Sequence, residues 1–398
     1  MHKLELCTAA MHWSAVDAAE LPNSVPIPRR SRLSLAETMH EHLLVGGEGT
    51  PVVVSDAQRG WRAPSLWTFE WFERHYGDSE LIANDLAPLR VDDNPPMQTV
   101  QCTLRQFTSY LMSGRSHPLA ARERGQPFYG NSWCPFNDHP ELCGHIARPY
   151  FVQDSMPEDT AESRRMSNNF TKIFLGPAQT VTRLHCDTFF THAWLSQIHG
   201  RKQFILYPPS QAHLLYAVDV GNGGMNSSFD PLAPDFERFP RARDATPYVA
   251  VCGPGDTILV PCCWFHHARA LSPSITLMRN FVNDVNVDRF FGVYLEKQQQ
   301  QQEETRQKEE TRQKEETRHL PVEQPQKLQQ QPRGAVPPPK PPPPPPLVPQ
   351  PTKTPTPQRP APLAQPPSSS TTTTQQPRRV HRQPRGCRQD WRPHKRAL

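Results

Sequence analysis

The sequence predicts a mainly β fold, a sandwich or barrel, with helical additions before it and a disordered tail behind it. Three observations carry this. Between residues 166 and 297, short apolar or alternating runs recur between turn signals. Ahead of them stand two segments with helix caps and one apolar side. Behind them the composition collapses: 23 of the 47 prolines follow Arg318. Apolar residues make up 36% of the 398, against roughly 45–50% for a globular chain when Gly is counted. The deficit is local, so about 295 residues are expected to fold and about 100 are not.

The elements follow in order. Residues 1–32, of mixed polarity with prolines near the end, read as a poorly ordered lead. Residues 33–165 read as a helix-and-strand part of the same domain. Within it, 33–44 forms a short helix and Pro51-Val-Val-Val-Ser55 a strand. Thr68 caps a helix to Tyr76 that stops at Gly77, and Thr103-Leu-Arg-Gln106 is a capping box opening another. Residues 113–165 read as irregular. Strand-like runs then lie at 171–175, 180–184, 193–198, 203–207, 248–252, 257–260 and 274–281, interrupted by a loop insertion at 212–247. A short helix at 287–295 closes the core, 166–297. Residues 298–320 repeat Glu-Glu-Thr-Arg without an apolar stripe and read as a solvated helix at most. Residues 321–377 are Pro-rich and favour polyproline II. Residues 378–398 are a basic tail.

Charge and cysteines narrow the class. The tail carries seven Arg, one Lys and one Asp, so the chain's +5 leaves the other 377 residues at −2. Bulk nucleic-acid binding by the folded part is not expected; the tail reads as a nuclear-import signal or a weak phosphate-binding arm, although plain solvation gives the same charge. The nine scattered cysteines form no disulfide framework and suit the nucleus or cytoplasm. No apolar run is long enough to span a bilayer, and Met1 to Cys7 lacks a signal-peptide core, so no membrane partner is expected. Lys340-x-x-Pro343-x-x-Pro346 fits an SH3-like groove, although a proline spacer gives the same pattern.

One constellation carries chemistry. His185-Cys186-Asp187 sits at a strand end, where residues two apart share a face, so His185 and Asp187 converge. His266, in Trp264-Phe265-His266-His267 after a Pro-Gly-Asp turn, supplies a second imidazole. Two imidazoles and a carboxylate leave three open positions on an octahedral ion, as in non-haem Fe(II) oxygenases. Zinc suits the same donors. H-x-D alone also reads as a simple Asp–His hydrogen bond.

The register Gly176-Pro177, Thr182-Arg-Leu-His185-Cys-Asp187, Ala193-Trp194, Gly200-Arg-Lys202 and Gly253-Pro-Gly-Asp256 through Asn280-Phe281 resembles the jumonji-C, cupin-type oxygenases. It is nearest in spacing to the small jumonji lysyl hydroxylases, the phosphatidylserine-receptor-like group. The resemblance covers roughly residues 35–295. It implies a double-stranded β-helix, jelly-roll core with Fe(II), 2-oxoglutarate and O2 as co-substrate. It also implies His185, Asp187 and His266 as metal ligands, His266 rather than His267 because the family ligand follows the aromatic pair. Lys202 and Thr182 match cofactor carboxylate partners, and Asn280 matches a polar residue beside the cofactor. Tyr129 resembles a tyrosine that some members place on the cofactor, although a packed core tyrosine reads the position equally well. Leu195 stands where some lysyl hydroxylases have Asn.

The function expected is hydroxylation of a Lys or Arg side chain in a protein or peptide substrate. The alternatives are demethylation of methyl-lysine or methyl-arginine by the same chemistry, and a catalytically dead binding cupin. Cys134, His139, Cys143 and His145 are a further candidate zinc set of unusual spacing. Cys262 and Cys263 read as packing residues.

Overall fold

The computed structural model describes residues 21, 23–43, 48–85, 98–123 and 126–318. The Pro-rich segment and the basic tail lie outside the described residues. The strands are, in chain order, β1 (Val25–Pro26), β2 (Arg29–Arg30), β3 (Val52–Val54), β4 (Glu80–Asn84), β5 (Thr99–Thr103), β6 (Gly130–Trp133), β7 (Thr171–Gly176), β8 (Val181–Cys186), β9 (His192–His199), β10 (Lys202–Tyr207), β11 (Val218–Gly221), β12 (Gly224–Asn226), β13 (Tyr248–Cys252), β14 (Thr257–Val260), β15 (Phe265–Ala270) and β16 (Ser274–Phe281).

Two seven-stranded sheets face each other. One runs β1-β13-β10-β15-β8-β12-β11, the other β2-β3-β14-β9-β16-β7-β6. Consecutive strands β7, β8, β9 and β10 alternate between the sheets, as do β13, β14, β15 and β16, so two hairpin-like ribbons wind around one interior. This is the expected double-stranded β-helix. Side-chain alternation fills it. Phe174, Ala193, Leu195, Phe204, Leu206, Ile258, Val260 and Met278 point inward and pack together. Their neighbours Ile173, Leu175, Trp194, Leu259 and Leu277 point outward and are buried as well.

Each outer face has a cover. The helices Phe69–Tyr76 and Leu104–Ser113 supply Phe72 and Phe107 to the second sheet's outer side. Thr68 caps the first of these, and the Thr103/Gln106 capping box opens the second. The first sheet's outer residues Ile205, Tyr207, Leu184 and Cys186 pack on Leu215, Phe229 and Phe239 of the 212–247 insertion. That double cover explains why so many strands read as continuous apolar runs rather than as alternation.

Several expectations are corrected. The lead is not loose throughout: β1 pairs with β13 and β2 with β3, both parallel. The 113–165 stretch contains β6 and the helix Ala161–Asn168, opened by a Thr160/Ser163 capping box. β6 was illegible because it pairs with β7 across an irregular register. The 33–44 helix is seen as Leu35–Glu37 running into a wider π turn at Thr38–His42. The insertion is not only loop: its hairpin β11–β12 extends the first sheet beyond β8.

The closing helix runs without a break over Val287–Arg318 and absorbs the charged repeat. Phe290 is fully buried beside Met156 and Val282, a burial that stabilises by about 2–3 kcal/mol. Past residue 298 its described side chains are exposed, and Arg306 pairs with Glu303 and Glu310. Exposed pairs contribute about 0–1 kcal/mol. Truncation after Gln298 is therefore expected to leave the melting temperature within a degree or two. A large fall in a calorimetric scan would show that the removed part docks. Among the described residues no helix is long and apolar enough to cross a membrane.

Candidate metal centre

His185 lies in β8 directly opposite His266 in β15. Their ring centroids are 4.2 Å apart. Asp187 follows β8 and places Oδ1 3.6 Å from His185 Nε2 and 3.8 Å from His266 Nε2. Among the described residues this is the one group of three or more His, Cys, Asp or Glu whose ligand atoms converge, all within 4.8 Å of one another.

Hydrogen bonds fix which atoms face the centre. His185 Nδ1 donates to the Arg183 carbonyl at 2.7 Å, and His266 Nδ1 to the Trp264 carbonyl at 3.2 Å. Both imidazoles therefore turn Nε2 inward. Burial works against a charged His185 ring, but the hydrogen bond and charge of Asp187 outweigh it and raise the group, so metal binding at that Nε2 displaces a proton. Asn280 Nδ2 donates to Asp187 Oδ2 at 2.9 Å and to Thr191 Oγ1 at 3.0 Å. One carboxylate oxygen is thus tied back while the other faces the rings. Burial pushes the Asp187 carboxyl up, but His266, His185 and Lys172 outweigh it and hold the group below the ordinary carboxylate range. Burial pulls His266 down to about 4, aided by His185. A carboxylate beside a neutral imidazole is the protonation state a metal requires.

The choice between His266 and His267 follows from strand alternation. His267 points to the opposite face, its Nε2 4.0 Å from Asp230 Oδ1 in the insertion. Burial lowers it to about 4 as well, so burial alone does not distinguish a ligand.

Lys202 starts β10 and shares an inward face with Phe204. It is 3% exposed. Its Nζ donates to the Tyr129 hydroxyl at 3.0 Å and lies 5.5 Å from the Tyr129 and Phe174 ring centroids. Burial pulls the ammonium down to about 7, and among the described residues no carboxylate pairs with it. Tyr129 is itself buried, with the Thr182 side chain as a hydrogen-bond partner. Its backbone is pinned by paired bonds to Asn84. Gly176 makes room for the ring: a Cβ there would lie 2.6 Å from Tyr129 Cδ2. Tyr129, Thr182 and Lys202 thus meet at one interior point. Leu195 faces the same interior beside Met278.

Two predicted clusters behave differently. Cys134, His139, Cys143 and His145 do not assemble. Trp67 Nε1 donates to His145, His139 Nε2 bonds Ser79, and the Cys134 thiol turns to the carbonyls of Ser132 and Asn169. Cys262 and Cys263 are in thiol–thiol contact at 3.2 Å rather than merely packing. Two site neighbours were missed. Asn226 pairs with His185 across β12 and β8. Lys172 acts electrostatically on His185 and Asp187. Its place two residues before inward Phe174, on the same face of β7, was the signal for it.

The cupin-like domain family matches residues 40–287, more than half of the chain. The chain belongs to the cupin-like domain family. Its relatives place this cupin in the jumonji-C group. It is 26% identical over 269 residues to lysine-specific demethylase JMJ21 of Arabidopsis thaliana, covering 65% of this chain and 26% of that one. It is 23% identical over 257 residues to arginine-specific demethylase JMJ20 of the same plant, covering 60% and 53%. It is 25% identical over 252 residues to the human 2-oxoglutarate and iron-dependent oxygenase JMJD4, covering 60% and 57%. The cupin thus spans from a quarter to rather more than half of these relatives' lengths.

The residues fit the groups those names imply. Two Nε2 lone pairs and one carboxylate oxygen suit a divalent iron with positions to spare. A buried ammonium without a carboxylate suits a dicarboxylate. Asn280→Ala is expected to free Asp187 and weaken metal binding roughly 10- to 100-fold, the usual effect of losing such a support. Metal titration of the folded variant checks this; unchanged affinity would make Asn280 a packing residue.

Proposed function

We propose that this cupin is an iron- and 2-oxoglutarate-dependent oxygenase that hydroxylates a side chain, Lys or Arg, of a protein substrate. The observation that carries the reading is the pairing of a His185/Asp187/His266 triad with a buried Lys202 that meets no carboxylate among the described residues, in one interior. His185, Asp187 and His266 bind the metal. Asn280 orients Asp187. Lys202 holds the distal carboxylate of 2-oxoglutarate, with Tyr129 and Thr182 donating hydroxyls. Phe174, Leu195, Phe204 and Met278 keep that end dry, which strengthens each charged contact. When bound, the iron and its co-substrate supply the activated oxygen that is inserted into a C–H bond, with succinate and carbon dioxide as co-products.

Release of succinate that requires both Fe(II) and 2-oxoglutarate tests the reading. Its absence would favour the dead binding cupin. The names of two relatives favour demethylation as a second reading. Product mass separates the two: a gain of one oxygen for hydroxylation, a loss of one methylene for demethylation.

We read the catalytic unit as residues 33–297, with β1 and β2 of the lead pairing onto it and the repeat, Pro-rich segment and basic tail outside it. A nuclear or cytoplasmic location rests on the scattered cysteines, and the nuclear reading on the one-signed charge of the tail. Deleting 378–396 is expected to lower nuclear accumulation of a fluorescent fusion, and an unchanged distribution would remove the import reading. An SH3-like partner and weak nucleic-acid contact rest likewise on the tail's composition.

A further inference from the structure

The turn between β14 and β15 holds two adjacent thiols that the chemistry above does not use. Cys262 and Cys263 bring their sulfurs to 3.2 Å, and both are partly accessible. Cys263 has φ of 65°, a left-handed conformation that a side-chain-bearing residue seldom adopts. Such an outlier persists only where its surroundings impose it. Here they do. Cys262 N–H donates to His192 Nδ1 at 2.8 Å, and Trp264 N–H closes the turn on the Pro261 carbonyl at 3.3 Å. Trp264 is anchored in turn by its indole N–H on the Glu48 carbonyl and by its ring on Tyr248.

The same turn steers a ligand. The Trp264 carbonyl next to Cys263 is the acceptor that orients His266 Nδ1. Whatever moves the peptide between Cys262 and Trp264 moves the imidazole.

We propose that Cys262 and Cys263 form a peroxide-sensitive vicinal dithiol, whose oxidation to a disulfide turns the Trp264 carbonyl away and withdraws His266 from the metal centre. The reaction balances. The Cys263 thiolate attacks one oxygen of hydrogen peroxide, giving a sulfenic acid and, after protonation, one water. The Cys262 sulfur then attacks the sulfenic sulfur, the S–S bond forms, and the second water leaves. Two thiols are oxidised by two electrons and one peroxide is reduced.

The environment selects the attacker. The hydrogen bond from Cys262 and the charge of Arg289 outweigh burial and pull the Cys263 thiol below its ordinary range. Cys262 is pushed up, first by the same contact and then by burial. Cys186 is buried and pushed up to about 12, so it competes poorly. Closure must also distort the turn. Neighbouring Cα atoms are about 3.8 Å apart, whereas an unstrained disulfide spans about 5.5–6 Å. The proposal needs only that His266 contribute to metal affinity, not that an oxygenase reaction take place.

The test treats the full chain with stoichiometric hydrogen peroxide, blocks free thiols, and sequences the tryptic peptide 244–269 by mass spectrometry. Expected is the loss of two hydrogens confined to Cys262 and Cys263, with Cys252 alkylated, all reversed by dithiothreitol. Affinity for Mn(II), an air-stable probe of the triad, should fall roughly 10- to 100-fold in the oxidised protein, as when a ligand's support is lost. Cys263→Ser should show neither change. Alkylation at both positions, a bond to Cys186, or added oxygens without a disulfide would each overturn the dithiol. A disulfide with unaltered Mn(II) affinity would overturn the switch. The wild-type measurements decide even if the serine variant fails to fold.

Discussion

Alanine at His185 or Asp187 is expected to remove metal binding and all metal-dependent succinate formation while leaving the fold in place. Either change deletes one of three inward donors, so the loss should exceed the roughly 10- to 100-fold that follows from disturbing an outer partner. The fold should survive because β8 is held elsewhere. Leu184 and Cys186 pack outward on the insertion, and Thr182 and Val181 pair with Ala268 and Arg269. His185 and Asp187 are moreover only partly buried, so neither alanine opens a sealed cavity. Metal content measured beside a thermal melt checks both halves. Full metal content in either variant would sink the triad.

Lys202→Met should do the reverse, sparing the metal and losing the cofactor. A buried carboxylate deprived of its cation costs about 3–5 kcal/mol, or about two to three and a half decades in affinity. Calorimetric titration of 2-oxoglutarate into metal-loaded wild type and variant measures it, and equal affinities would remove Lys202 from the site. The pH dependence has a definite sign. Burial pulls the Lys202 ammonium down to about 7 in the cofactor-free fold, against about 10.4 in an unfolded chain. Between those values the unfolded chain carries a proton that the fold does not, so this group makes stability rise with pH across that window. The dicarboxylate pairs only with the charged form. Its affinity should therefore be full below about pH 7 and fall up to tenfold per unit above, because binding must take up a proton. Lys202→Met should flatten both slopes.

The sequence by itself determined the parts of this protein that depend on near neighbours. The H-x-D spacing places His185 and Asp187 on one side because strand side chains alternate. The Thr68 cap and the Thr103/Gln106 box are set within four residues, and both formed as read. Seven strand runs were legible from apolar periodicity, with ends off by at most two residues. The residues proposed His266, and the family register chose it over His267 and supplied Lys202, which no local rule reaches.

Tertiary structure alone decided what depends on distant pairings. Tyr129 meets Lys202 across 73 positions of sequence because β6 lies beside β7 and Gly176 leaves room for its ring. Asn280 reaches Asp187 because β16 lies beside β9 and the opposed sheets bring β8 to face it. The β11–β12 hairpin was hidden because β11 is exposed along its whole length and carries no buried face to set a period. Cys134, His139, Cys143 and His145 had the composition of a zinc site, but Trp67, Ser79 and Asn169 engage His145, His139 and Cys134 separately, and Cys143 is exposed. A ligand set is a statement about convergence in space, and the energy that brings such residues together or apart is the packing of the two sheets on their covers.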